Sequence, residues 1–301
     1  MQVTREKPTR IGCRPIRETD IGPLIELLIE GFPARTAANW ALAMQRLAQR
    51  ETPAPYPRFG YLLEADDAPV GVILLIFSTQ PDERGLHVRC NISSWYVKYL
   101  YRGYASLLSN AAIRHKEVSY TNISAVPQTW PIIEAQGFTR YTSGQIAAFP
   151  ALSPWAANSW VRQFQAAEDY GPTLSEEERN LLTVHLNYGC LAYVVMEKGK
   201  VNPFVFLPRR INLLPRRINR GIVRALQLVF CRDVRDFVRL AGPIGRALAR
   251  RGMLLVVLDA PGPLPGLVGK YFPDRGHRRY FKGTERPRIG DLAYSELVLF
   301  P

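Results

Sequence analysis

Apolar residues first recur at helical spacing just after a capping signal, where Ile21, Leu24, Leu27 and Leu28 follow Thr19 and Asp20. Side-chain oxygens there suit the free N–H groups of a first turn, so a helix is predicted from about residue 20, and a second over Ala37–Gln49 beyond Pro33. The period then changes to extended. Tyr61–Glu64 and Val70–Phe77 flank the polar Ala65-Asp66-Asp67-Ala68 turn and read as a hairpin, with His87–Val97 as a longer run behind it. After Tyr101-Arg102-Gly103 the spacing of Leu107, Leu108, Ala111, Ala112 and Ile113 is helical again. Tyr120–Val126 reads as a strand and Thr129–Gln136 as a short helix closed by Gly137, while Phe138–Tyr141 and Gln145–Phe149 read as a last hairpin.

Past Pro150 an acidic, Trp-bearing stretch, Trp155–Glu178, is expected to be helical. It leads to a hairpin of Cys190–Met196 and Val201–Leu207, turned by Glu197-Lys198-Gly199-Lys200. Ala225–Cys231 reads as a strand, Gly242–Arg251 as a helix, Met253–Asp259 as a strand and Pro265–Phe272 as a short helix. Arg278–Phe281 with Leu292–Phe300 reads as a closing hairpin. The order of elements in the first half thus recurs in the second, and a duplicated α/β unit is the simplest account. The expected domains are 1–150 and 151–301, each a mixed twisted β-sheet flanked by helices.

Composition narrows the classes. With 47% hydrophobic and 22% charged residues in 301, the chain is neither disordered nor a small disulfide scaffold. Cys13, Cys90, Cys190 and Cys231 lie far apart, and four histidines give no ligand spacing, so no metal site is expected. The start carries charges without an apolar core behind them, and no apolar run approaches the roughly 20 residues of a bilayer span, so a cytoplasmic protein is expected. The net charge of +13 is uneven. Residues 201–301 carry 19 basic and 7 acidic residues, and the first 200 are nearly neutral. The excess gathers in Pro208-Arg209-Arg210-Ile211-Asn212, repeated as Pro215-Arg216-Arg217-Ile218-Asn219, and over residues 275–288. Pro215 argues for a loop or broken helix, and such a face would meet an acidic carrier protein, donor phosphates, an anionic membrane or nucleic acid.

Val97-Lys98-Tyr99-Leu100-Tyr101-Arg102-Gly103 runs from a strand end into a helix, and here the chain resembles the GNAT superfamily of acyl-CoA N-acyltransferases. The physical logic stands apart from the name: N–H groups at a helix start, approached closely where residues are small, hold a pyrophosphate. Thr129–Phe138, closing in Gly137-Phe138, resembles the family's later helix, and Arg14–Asp20 its first strand and cap. The second half resembles a diverged second copy, as in tandem members. The sequence departs from the family's pattern at Ala105 and Leu107, where two further glycines are usual, and at Ile133, where many members have a tyrosine acid.

The resemblance implies an acetyl-CoA or other acyl-CoA donor held by Trp95, Tyr96, Val97 and the Arg102-Gly103-Tyr104-Ala105-Ser106 turn, or in the second copy by Arg239, Gly242 and Gly245. Either half could be the competent one. It implies attack of an amine on the thioester, with a backbone N–H near Tyr96 or Val97 meeting the oxyanion and Tyr96, Asn122 and Ser124 nearest the reacting atoms. Glu134, His87 and His185 would serve as bases only if the fold brings them in. The alternative is a GNAT-like binding protein without chemistry, using its basic half for nucleic acid or an acidic partner.

Overall fold

The computed structural model describes residues 10–82, 85–212, 222–273 and 278–300. Fourteen strands and seven α-helices follow one another along these residues, and the strands make two seven-stranded mixed sheets. The chain divides into two compact units. The first comprises residues 1–124, 281–285 and 294–301, and the second residues 125–280 and 286–293.

In the first unit β1 (Ile11–Pro15), β2 (Gly60–Ala65), β3 (Ala68–Asp82), β4 (Gly85–Val97) and β5 (Ser119–Ala125) lie side by side in that order. All neighbours are antiparallel except β4 and β5. The β2–β3 turn is the expected one, with Asp66 and Asp67 both at positive φ. β3 carries an unbroken apolar run, Val70 to Phe77, because both its faces are covered and alternation has no purpose there. α1 (Ile21–Gly31) and α2 (Ala37–Gln49) form where the apolar spacing places them. Thr36 caps α2 through Asn39, but Asp20 leaves the α1 start uncapped, its carboxylate held by Arg14 at 2.6 Å and by the Arg17 amide. α3 (Ala105–Ala112) packs on β2 and β3 through Leu108 and Ala112.

The second unit begins with α4 (Trp130–Ala135), β6 (Thr139–Thr142), β7 (Gly144–Ala148) and β8 (Ser159–Gln163). It continues with α5 (Glu176–Asn187), β9 (Leu191–Glu197), β10 (Lys200–Asn212), β11 (Ile222–Cys231), α6 (Val234–Ala249), β12 (Val256–Ala260) and β13 (Gly269–Pro273). β14 (Arg278–Lys282) spans the junction of the two units, and the last helix, α7 (Glu296–Leu299), belongs to the first. The sheet of the second unit runs β13-β7-β12-β11-β10-β9-β8. Its core is Phe204, Phe206, Leu226, Leu228, Phe237, Ile244 and Leu258 with their neighbours.

Several local expectations change. Phe138–Tyr141 and Gln145–Phe149 do not form a hairpin, because both edges of β7 are taken by β12 and β13. Trp155–Glu178 is not helical: Ser159–Gln163 pairs with β9, and α5 starts at the Ser175 cap. Pro265–Phe272 gives a strand in place of a helix, and Leu292–Phe300 gives the α7 turn in place of a hairpin arm. The helix expected at Gly242 starts eight residues earlier, at the Asp233 cap, and carries Pro243 in its interior. Pro208–Asn212 is neither loop nor helix; it continues β10, in register with β11 from Leu226 to Ile222. Its repeat, Pro215–Asn219, lies outside the described residues, as do Arg275 and His277.

Candidate functional site

In the first unit β4 and β5 are hydrogen-bonded neighbours only at Arg89↔Ser119, Cys90↔Tyr120 and Asn91↔Thr121. Both strands go on beyond that point, so Ile92–Val97 and Asn122–Ser124 flank an opening in the sheet. The cause is local. Ser94 sits at φ +50°, and the register against β3 slips between Val72 and Leu74, a bulge that bends β4 away from its parallel partner. A left-handed serine costs of order 1 kcal/mol or more, and such strain gathers at functional positions. Lys98 donates to the Val70 carbonyl at 2.8 Å, which makes Tyr96↔Val72 the next bonded pair of the antiparallel ladder. The Val97 N–H therefore points away from β3, toward the opening.

Past this strand end the chain makes a 3-10 turn, Tyr99–Tyr104, that feeds directly into α3. Tyr99, Leu100, Tyr104 and Leu107 are exposed on it. The Arg102 guanidinium lies 5.3 Å from the Tyr99 ring centroid. At Gly103 a Cβ would meet nothing within 4 Å, and its φ is not left-handed, so neither packing nor backbone conformation requires glycine there. Ala105 is half-buried and Ser106 exposed. The Trp95 indole N–H is buried without a hydrogen-bond partner. The Tyr96 hydroxyl donates to Glu30 at 2.9 Å, and burial together with that carboxylate pushes the phenol pKa up, so it stays protonated at neutral pH. Asn122 accepts from the Ser124 amide at 3.3 Å.

No local signal in the sequence points to the group that lines this opening. Glu296, the first residue of α7, is 8% exposed, and both its carboxylate oxygens face the two splayed strands. The Ser124 hydroxyl donates to one oxygen at 2.5 Å, and the Ser93 hydroxyl donates to the other. Its amide donates to Asn91 Oδ1 at 2.8 Å, and the Asn91 side-chain amide in turn reaches the Thr121 carbonyl at 3.3 Å. Glu296 thus tethers Asn91, in the last paired rung of β4 and β5, to Ser93 and Ser124 in the unpaired stretches beyond it. The three bases expected from the sequence are engaged elsewhere. His87 is 4.0 Å from Glu285, His185 is buried on the Leu181 carbonyl at 2.7 Å, and Glu134 accepts from Tyr280 at 2.7 Å.

The second unit has the same parallel pair, β11 and β12, bonded only at Leu226↔Val256 and Gln227↔Val257. Here the chain closes its own opening. The Cys231 amide donates to Gly290 at 3.0 Å, the Leu292 amide donates to Val229 at 2.7 Å, and Phe230 bridges Asp291. Asp259 beside this segment is buried in an ion pair with Arg279 at 2.9 Å and accepts from Gln145 at 2.9 Å. Gly242 and Gly245 lie buried in mid-helix. A Cβ on the first would stand 2.1 Å from the Pro154 carbonyl, and on the second 2.1 Å from the Ala151 amide, so their small size serves close packing of α6 on residues 150–154. Arg239 is committed to Glu197 and to Asp236 at 2.7 Å. Among the described residues no group of three or more His, Cys, Asp or Glu side chains is placed to hold a metal ion, and no helix is long and apolar enough to cross a membrane.

No family model and no curated protein matches the sequence. Solved structures do match the fold. The chain is similar to a GCN5-related N-acetyltransferase from Anabaena variabilis at a TM-score of 0.58 and 11% identity, over 90% of this chain and 72% of that one. It is similar to a probable N-acyltransferase from Enterococcus faecalis at 0.56 and 13%, over 94% and 74%. A putative acetyltransferase from Pyrococcus horikoshii matches at 0.51 and 12%, over 97% and 95%. At these identities the likeness is one of fold.

Proposed function

We propose that this chain, which has the GCN5-related N-acetyltransferase fold with two sheets, transfers an acyl group from a CoA thioester to an amine in the opening between β4 and β5 of the first unit. The observation that carries the reading is the contrast between the two openings. The one between β4 and β5 leaves the Val97 N–H facing it, whereas the one beside β11 is bonded by residues 290–292. An extended pantetheine arm can add to an unpaired strand edge as a peptide does, but not to one already paired.

In this reading Arg102 and the turn up to Ser106 meet the donor's phosphates, and the space beside Gly103 lets them approach the backbone. The Val97 N–H meets the oxyanion as the amine nitrogen bonds to the thioester carbon. The C–S bond then breaks, the new amide forms, and the CoA thiolate receives through water the proton that Glu296 takes from the amine, which returns Glu296 to its carboxylate. The amine loses its proton to Glu296, which Ser93 and Ser124 hold at the reacting face. Tyr96, protonated and fixed on Glu30, shapes the wall of the site. Gly242, Gly245 and Arg239 are not carried into the donor site.

A carrier-protein form of the donor has one observation in its favour: Arg210 and Arg224, both exposed, stand directly opposite each other on β10 and β11. Like charges so placed disfavour the sheet and suit an acidic surface. Calorimetry with acetyl-CoA, longer acyl-CoAs and an acidic acyl carrier protein, together with thiol release in the presence of an amine panel, tests the proposal. No binding of any thioester and no acceptor-dependent thiol would end it.

A further inference from the structure

In both units the two central antiparallel strands run on past the strands beside them. β10 pairs with β9 as far as Phe206 and β11 pairs with β12 from Leu226, so residues 209–212 and 222–225 make four rungs with no third strand among the described residues. At about 3.3 Å per residue this two-stranded ribbon is roughly 13 Å long. The first unit builds the same ribbon. β3 leaves β2 at Leu74 and β4 meets β5 at Arg89, so residues 79–82 pair with 85–88 in four rungs of their own. Charge separates the two. The eight residues of the first ribbon include one aspartate, Asp82, and no lysine or arginine, a charge of −1 with His87 neutral. Those of the second include Arg209, Arg210 and Arg224 and no acidic residue, a charge of +3. The fold therefore requires the ribbon and leaves its charge free.

All three arginines are exposed, and none makes a hydrogen bond or an ion pair among the described residues. Arg232, Arg239 and Arg279 of the same unit are instead held by Glu178, Glu197 and Asp259. Successive residues of a strand point to opposite faces, so Arg209 stands on one face of the ribbon, and Arg210 with Arg224 directly opposite it stands on the other. Partial burial and the nearby Arg279 charge draw the Arg209 pKa down against the pull of Asp259, so an anion at Arg209 would relieve repulsion. The Arg210 and Arg224 pair alone suits any acidic surface. Arg209 narrows the choice, because a flat protein or membrane surface meets one face of a ribbon, whereas a groove walled by phosphates meets both. The major groove of B-form DNA, about 12 Å wide, admits a two-stranded ribbon, and the narrow one of A-form RNA does not. We infer that the β10–β11 ribbon of the second unit binds duplex DNA in its major groove, with Arg209 toward the phosphates of one strand and Arg210 and Arg224 toward those of the other. Contacts to phosphate carry no sequence preference. The inference goes beyond acyl transfer and does not depend on it.

The test is fluorescence anisotropy of the full chain with a labelled, random-sequence duplex DNA of about 20 base pairs, over about 50 to 200 mM salt. Three phosphate contacts give a slope of log affinity against log salt of about −2.7, an affinity loss of about fortyfold over that range, and the wild-type protein is expected to show at least this. Arg209→Gln should flatten the slope by about 1, and Arg210→Gln combined with Arg224→Gln by about 2. Lysine at the same three positions keeps the charge and should keep the slope, which separates lost charge from a damaged fold. No binding at about 50 mM salt, equal affinity for single-stranded DNA or duplex RNA, or a slope that Arg209→Gln leaves unchanged would overturn the inference. So would tighter binding to an acidic acyl carrier protein or to phosphatidylserine vesicles that depends on Arg210 and Arg224 but not on Arg209, since that pattern belongs to a flat acidic partner. Thioester binding and thiol release do not enter this readout, so failure of the acyl-transfer reading would leave the ribbon's role standing.

Discussion

Replacing Glu296 by glutamine isolates the proton-accepting role from the structural one, because the side chain keeps its shape. In the native protein the carboxylate takes hydroxyl hydrogens from Ser93 and Ser124, and the amide of the same residue holds Asn91. In Glu296→Gln the amide bond to Asn91 survives. One serine still donates to the side-chain carbonyl, and the other turns its hydroxyl to accept from the new amide group. Two hydrogen bonds to a charged group, about 1.5–3 kcal/mol each, become two neutral ones of about 0.5–1.5 kcal/mol, so the fold should lose roughly 1–3 kcal/mol and remain folded at 25 °C. The rate should respond more steeply. A positioned base contributes about 10²–10⁴-fold, which is roughly 3–5 kcal/mol of barrier. We therefore expect kcat to fall at least a hundredfold, with acetyl-CoA affinity by calorimetry unchanged within about twofold. Glu296→Ala, which also strands both hydroxyls, should be less stable than the glutamine variant but no slower. A folded Glu296→Gln protein with kcat within threefold of wild type would show that Glu296 only ties the strands together.

Further outcomes follow from single positions. Gly103→Val puts bulk where the protein has open space, so it should cost no melting temperature yet weaken acetyl-CoA binding at least tenfold by calorimetry. Gly245→Val meets the Ala151 backbone instead and should destabilise by about 1–3 kcal/mol or more in urea titrations, with no effect on donor binding by the folded fraction. Arg14 holds the Asp20 carboxyl below the usual range, so this pair contributes stability above the unfolded carboxyl pKa of about 3.9 and loses it as pH falls through the lowered value. Asp20→Asn should accordingly be less stable by about 1 kcal/mol at pH 7 and converge with wild type in acid, read by denaturant midpoints across pH. Burial pushes the Cys90 and Cys231 thiols well up and the Cys13 thiol up less. An aromatic disulfide reagent at pH 8 should label Cys13 alone in the native protein, and the other three only after unfolding.

Elements fixed by neighbours in the chain were legible before the fold was known. The α1 and α2 spacing, the Asp66-Asp67 hairpin, the long β4 run and the β9–β10 hairpin all rest on local periodicity and turn chemistry, which a sequence carries directly. Strand partners were not legible. β7 looks the same whether it pairs with β6 or between β12 and β13, because alternation states which face is buried and not which strand lies alongside. Gly242 and Gly245 read as room for a phosphate and prove to be room for residues 150–154, since smallness does not say what approaches. Ser124 is legible from its strand, but its partner lies 172 residues away. The sequence by itself therefore determined two α/β units and the turn around Arg102-Gly103. Only the tertiary structure decided that one opening is closed by its own chain while the other holds Glu296, because such long-range contacts are set by packing and leave no local period to read.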